Sequence, residues 1–219
     1  MPLKRFDAVI FDLDGVIINS EDLHAEAKRI TLNRFGIEYP PGIFTEFKGR
    51  TDMAFWKHVS DELTVNKYKA EDLDAAKRKT YFGIVHQMKL VDGVMDFIEC
   101  AKNNFTHMAV VTSATKADLM AAEEKFGFLK WFDVVQMGED TLNHKPHPDP
   151  YLMAVRKLKI QPSDALVIED SPNGVISAKA AGCYVIGITT GFTSAELTTA
   201  GADSVVGSFA EIIINLKPT

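Results

Sequence analysis

Apolar, β-branched runs alternate with helix-period segments over most of this 219-residue chain. The runs AVIFDLD (8–14), HMAVVTS (107–113), FDVVQ (132–136), ALVIED (165–170), YVIGIT (184–189) and the weaker DSVV (203–206) predict strands. Runs that are apolar on both faces suit a parallel sheet covered by helices on each side. Helical patterns at 93–103, 115–127, 148–159, 173–181, 194–200 and 208–216 fall between them. The alternation predicts an α/β core with a doubly wound, Rossmann-like parallel sheet.

The interval 20–88 breaks this rhythm and reads as helices only: SEDLHAEAKRITLNRFG, TDMAFWKHVSDEL and AEDLDAAKRKTYFGIVHQM. Ser20, followed by Glu21 and Asp22, reads as an N-cap with an acidic first turn. Gly36 and the Tyr39-Pro40-Pro41-Gly42 stretch end the first of these helices. The expected organisation is a core domain of residues 1–19 and 89–219, with an all-helical domain of residues 20–88 inserted after the first strand.

Composition narrows the class. A hydrophobic share of 46% with 25% charged residues is that of an ordinary globular protein. The net charge of −6 offers no electrostatic footprint for nucleic acid or an anionic membrane. Cys100 and Cys183 form neither a disulfide framework nor a metal-ligand spacing, which points to a reducing compartment. Asp12 interrupts the N-terminal apolar run too early for a signal peptide, and no stretch approaches the roughly 18 apolar residues of a membrane span. The expected location is the cytoplasm.

Ligands of open parallel sheets bind beyond the carboxyl ends of the strands. Asp12 and Asp14, Thr112 and Ser113, and Glu169 and Asp170 all fall at such ends, and Lys145 lies in the loop GEDTLNHKPHPDPY. Crowded carboxylates repel unless a cation joins them, and oxygen-only ligands favour a hard divalent ion such as Mg²⁺. With a lysine opposite, the arrangement suits a phosphoryl group attacked by a carboxylate. The spacing Asp-x-Asp supplies an ionised attacker and a second acid to carry the proton.

DLDGV (12–16), VVTSAT (110–115), KPHPDPY (145–151) and IEDSPNG (168–174) resemble, in order, the four motifs of the haloacid dehalogenase-like phosphohydrolases. The inserted helices resemble the small cap of the beta-phosphoglucomutase and sugar-phosphatase branch. The resemblance implies Asp12 as nucleophile and Asp14 as general acid/base, with Lys145 neutralising the phosphoryl group. It implies that Thr112, Ser113, Ala114 and Lys116 line the phosphate site, and that Asp12, Asp14 (through its carbonyl), Glu169 and Asp170 surround Mg²⁺. In the cap it implies substrate contacts from His24, Lys48, Gly49 and Arg50. The position where the mutase has an arginine for a second phosphate holds Asp52, and the mutase's Ser-Lys-Asn reads Thr115-Lys116-Ala117. These departures favour a Mg²⁺-dependent phosphatase of a small phosphorylated metabolite, a sugar phosphate, over the alternative, beta-phosphoglucomutase. The expected enzyme is a monomer or weak homo-oligomer that binds no nucleic acid and no membrane.

Overall fold

The structure is a computed structural model that describes residues 6–47 and 51–216. The described residues divide into two compact units, one within Met1–Asn19 and Lys89–Thr219, the other within Ser20–Met88.

In the first unit, strands β1 (Ala8–Phe11), β4 (His107–Val111), β5 (Val134–Gln136), β6 (Ala165–Glu169), β7 (Tyr184–Ile188) and β8 (Ser204–Val206) form one sheet in the order β5-β4-β1-β6-β7-β8. All neighbours pair parallel, and Phe11 stands opposite both Val110 and Ile168. The first strand therefore lies between the two strands whose ends carry the other candidate residues. Alternation along β1 splits its side chains between the two faces. Ala8 and Ile10 join the core under helices α7 (Asp149–Leu158) and α8 (Pro172–Ala180), while Phe11 meets Phe97 of α5 (Val94–Lys102) edge to face at 5.6 Å. Helices α6 (Lys116–Phe126), α9 (Ser194–Thr199) and α10 (Phe209–Leu216) complete the covering layers.

Each expected strand is present, but the first two stop early, at Phe11 and Val111 rather than at 14 and 113, with the amides of Asp12 and Thr112 making the last cross-strand hydrogen bonds. Beyond Phe11 the chain turns back on itself, and the Leu13 carbonyl accepts from the amides of Ile17 and Ile18. A two-residue antiparallel pair, β2 (Ile18–Asn19) with β3 (Lys89–Leu90), joins the outgoing and returning chain. Strands that short carry no periodicity to read.

The second unit contains α1 (Glu21–Arg34), α2 (Ile43–Glu46), α3 (Asp52–His58) and α4 (Ala70–Ile84). Its core is Leu32, Ile37, Ile43, Phe47, Phe55, Trp56, Val59 and Leu73. Ser20 precedes α1 but does not cap it: its backbone is helical rather than extended, which turns the hydroxyl away from the first free amides. The expected helix over 51–63 widens into a π turn at Val59–Leu63, where the buried Ser60 hydroxyl donates to the Tyr68 carbonyl. No helix among the described residues is long and apolar enough to cross a membrane.

One polar cluster ties the helices of this unit together. Asp52 accepts from Lys28 of α1 at 3.0 Å and from Lys77 of α4 at 2.6 Å. The Lys77 ammonium also meets His24 Nδ1 at 2.7 Å, and the His24 ring stacks on Tyr81 at 4.5 Å. Burial raises the Asp52 pKa, but Lys77 and Lys28 outweigh it and hold the carboxyl at about 2. Asp52→Ala leaves Lys77, only 3% exposed, without its carboxylate. The Asp52 side chain is 32% exposed, which tempers the loss to about 2 kcal/mol in urea denaturation. Because the folded pKa lies below the unfolded one, this contribution is full above about pH 4 and fades as pH falls through about 2.

Candidate active site

Asp12 is the first residue past β1, and its amide still donates to the Ile168 carbonyl of β6. Its side chain is turned into the sheet edge, where Lys145 Nζ meets Oδ1 at 2.5 Å. The same ammonium donates to Glu169 Oε1 at 2.6 Å and to the Val111 carbonyl at 3.1 Å. All three ammonium hydrogens are thus committed, to three adjacent strand ends. Lys145 comes from the loop before α7, 133 residues from Asp12 in sequence, and its side chain is only 7% exposed.

Glu169 is fully buried and saturated with donors. Its Oε1 also accepts from the Tyr151 hydroxyl at 2.6 Å, and its Oε2 accepts from the amide and the hydroxyl of Ser171. Ser171 does double duty as the N-cap of α8, its Oγ accepting from the Gly174 amide. The Asp170 carboxylate, only 8% exposed, takes no hydrogen bond from the described residues. Backbone crowds it instead: a Cβ on Gly15 or Gly191 would fall 1.9 or 2.1 Å from Asp170 Oδ2. Gly15 also has φ +78°, so glycine is required there twice over.

Oxygens of Asp12, Glu169 and Asp170 lie within 4.8 Å of one another. Fully ionised, three carboxylates against one ammonium would leave an excess of two negative charges in a buried site. Burial pushes Asp12 up to about 8 against the pull of Lys145, with repulsion from Glu169 and Asp14 adding to the rise. Burial, then Glu169 and Asp12, drive Asp170 well above the carboxylate range. Burial opposes the charge on Lys145, and Asp12 and Glu169 more than reverse that effect, so the ammonium is retained. Carboxylates gathered this closely, one of them taking no donor from the described residues, fit a divalent cation that would relieve their charge.

Haloacid dehalogenase-like hydrolases match this chain over residues 9–188. The chain is 31% identical over 218 residues to validoxylamine A 7'-phosphate phosphatase of Streptomyces hygroscopicus subsp. limoneus, across 94% of this chain and 96% of that protein. The chain belongs to the haloacid dehalogenase-like hydrolase family. A Thermotoga maritima structure assigned as a beta-phosphoglucomutase superposes with TM-score 0.84 at 28% identity, covering 96% and 98% of the two chains. A variant of protein CbbY from Rhodobacter sphaeroides, in complex with xylulose 1,5-bisphosphate, superposes with TM-score 0.79 at 27% identity, covering 97% and 100%.

As in the motif order of these hydrolases, Asp12, Lys145, Glu169 and Asp170 converge on one edge of the sheet. Asp14 is half-buried one residue beyond Leu13, bridged to Ile18. Thr112 is buried, and its hydroxyl accepts from the Ala114 amide, whereas Ser113 is exposed past the end of β4. Lys116 is exposed at the start of α6, its amide bound to Glu139. His24 belongs to the second unit, and Lys48, Gly49 and Arg50 lie outside the described residues. Sequence reasoning assigned no part to Tyr151, Ser171 or Gly191. Tyr151 and Ser171 stand inside the quoted motifs, where a phenol or a hydroxyl beside the acids was the available signal.

A divalent ion entering this site would displace the proton that burial favours on Asp12 near neutral pH. Ion binding is expected to release protons at pH 7 and to tighten as pH rises through about 8. Isothermal titration calorimetry in buffers of different ionisation enthalpy measures both effects. The folded pKa of Asp12 lies above the unfolded one, so this group favours the ion-free fold below about pH 4. That gain is lost as pH climbs through about 8, so added ion should raise Tm most at alkaline pH.

Proposed function

We propose that this protein is a Mg²⁺-dependent phosphatase of a small phosphorylated metabolite, a sugar phosphate, working through an aspartyl-phosphate on Asp12. The observation that carries the reading is the Lys145 ammonium held between Asp12 and Glu169 at the sheet edge, with Asp170 beside them. The kinship with a validoxylamine phosphate phosphatase and with a protein that binds a sugar bisphosphate supports the substrate class.

Asp12 and Asp170, with the Asp14 carbonyl, would hold the Mg²⁺, and Glu169 stands behind them. When bound, the ion offsets phosphoryl charge and keeps Asp12 ionised. Asp12 attacks phosphorus while Asp14 protonates the departing alcohol oxygen. Lys145 and Ser113 stabilise the phosphoryl oxygens as charge builds on them. Asp14 then takes a proton from water, which attacks the acyl phosphate and frees Asp12.

The alternative, beta-phosphoglucomutase, has a structural relative to recommend it. Against it, Asp52 places a carboxylate between Lys28 and Lys77, so those two cations are already matched inside the helical unit. Incubation with glucose 1-phosphate and a trace of the bisphosphate separates the two. Free phosphate is expected, and accumulation of glucose 6-phosphate would reverse the assignment.

With a generic phosphate ester, Asp12→Asn should lower kcat by about three orders of magnitude or more. Full activity in that variant would remove Asp12 as the nucleophile. Chelation of the ion should abolish turnover, and Mg²⁺ should restore it.

A further inference from the structure

Tyr151 lies in the first turn of α7 and is completely buried among Ala8, Ile10, Ala109, Val111 and Val167. Phenylalanine would fill that apolar position equally well, and a buried hydroxyl is costly unless bonded. The hydroxyl donates to Glu169 Oε1 at 2.6 Å, the same oxygen that receives Lys145. The face of the Tyr151 ring lies 4.9 Å from Lys145 Nζ. One side chain thus touches both the ammonium and its carboxylate anchor.

We propose that Tyr151 is the positioning residue for Lys145, locking Glu169 through its hydroxyl so that the ammonium stays aimed at Asp12. Glu169 has two donors on each oxygen, and Ser171 supplies both on Oε2. On Oε1, Tyr151 and Lys145 are the pair. Without the phenol hydroxyl, Lys145 alone holds that oxygen, and Oε1 loses the restraint that fixes its position against the ammonium. The ammonium then loses the fixed geometry given by its three acceptors, and positioning errors of this kind act on the transition state. The inference rests on the phosphatase reading for its kinetic consequence, and on geometry alone for the state of Lys145.

The test is Tyr151→Phe, which keeps the ring and the packing, in the full-length enzyme with Mg²⁺ bound. Its kcat should fall roughly 10- to 100-fold with little change in KM, and the Kd for Mg²⁺ should stay within about threefold. The ¹⁵N resonance of the Lys145 ammonium, identified by its loss in Lys145→Met, should be visible in the wild type and broadened by proton exchange in Tyr151→Phe. A merely structural role would shift Tm without moving that resonance. Should Tyr151→Phe fold poorly, a ring-fluorinated tyrosine at the same position keeps the shape and changes the donor, and it should shift both kcat and the resonance. Unchanged kcat and an unchanged ammonium signal overturn the proposal. A wild-type enzyme without Mg²⁺-dependent turnover would instead overturn the phosphatase reading, and the ammonium resonance would then decide the role of Tyr151 by itself.

Discussion

The Lys145 ammonium makes it possible to bury Asp12 and Glu169 at the end of a parallel sheet. Two carboxylates brought this close in a desolvated setting repel strongly, and each loses its hydration. A single cation with hydrogen bonds to both, and a third to the Val111 carbonyl, draws the ends of β1, β4 and β6 to one point. The balance is incomplete, because Asp170 adds a third carboxylate. Fully ionised, the cluster would carry a buried negative excess, which protons relieve in the ion-free protein and a divalent ion would neutralise. Breaking the lysine contact would leave both acids uncompensated, the costly way to disturb a buried pair.

The sheet topology makes that convergence possible. With β1 third in the order and flanked by β4 and β6, three successive strand ends open onto one crevice where the winding reverses. The loops around it are shaped by close contact. The chain leaving β1 turns at Gly15, whose carbonyl accepts from the Thr190 hydroxyl, and both Gly15 and Gly191 press against Asp170 with no room for a side chain. Local backbone conformation, strand order and the position of one carboxylate are thus coupled.

The fold was legible because its strands are buried on both faces and its helices keep their period, so type and order could be read from apolar spacing alone. Boundaries were not, since Leu13 continues the strand-like composition after the last cross-strand hydrogen bond of β1, at the Asp12 amide. The antiparallel pair at Ile18–Asn19 and Lys89–Leu90 and the four-residue helix at Ile43–Glu46 are too short to show a period. In the site, Asp12, Lys145, Glu169 and Asp170 stood out because charge at the end of an apolar run demands a reason. Tyr151 did not, because in sequence it is one more apolar position on α7. Its role depends on a single hydroxyl reaching a strand end 18 residues away.

Glu169 and Asp170 show how adjacent acids acquire different work. Glu169 closes β6, is wholly buried, and has both oxygens filled by Lys145, Tyr151 and Ser171. A carboxylate with all its lone pairs taken is held in place and has little left to offer an ion. Asp170, one residue later, receives no such donors among the described residues and faces backbone at Gly15 and Gly191. Its charge can be relieved only by a proton or a cation, which is why burial drives its pKa so far up in the ion-free protein. Of the pair, only Asp170 is thus left with a carboxylate open to an ion, and the difference follows from where Tyr151 and Ser171 place their donors rather than from any difference in acid strength.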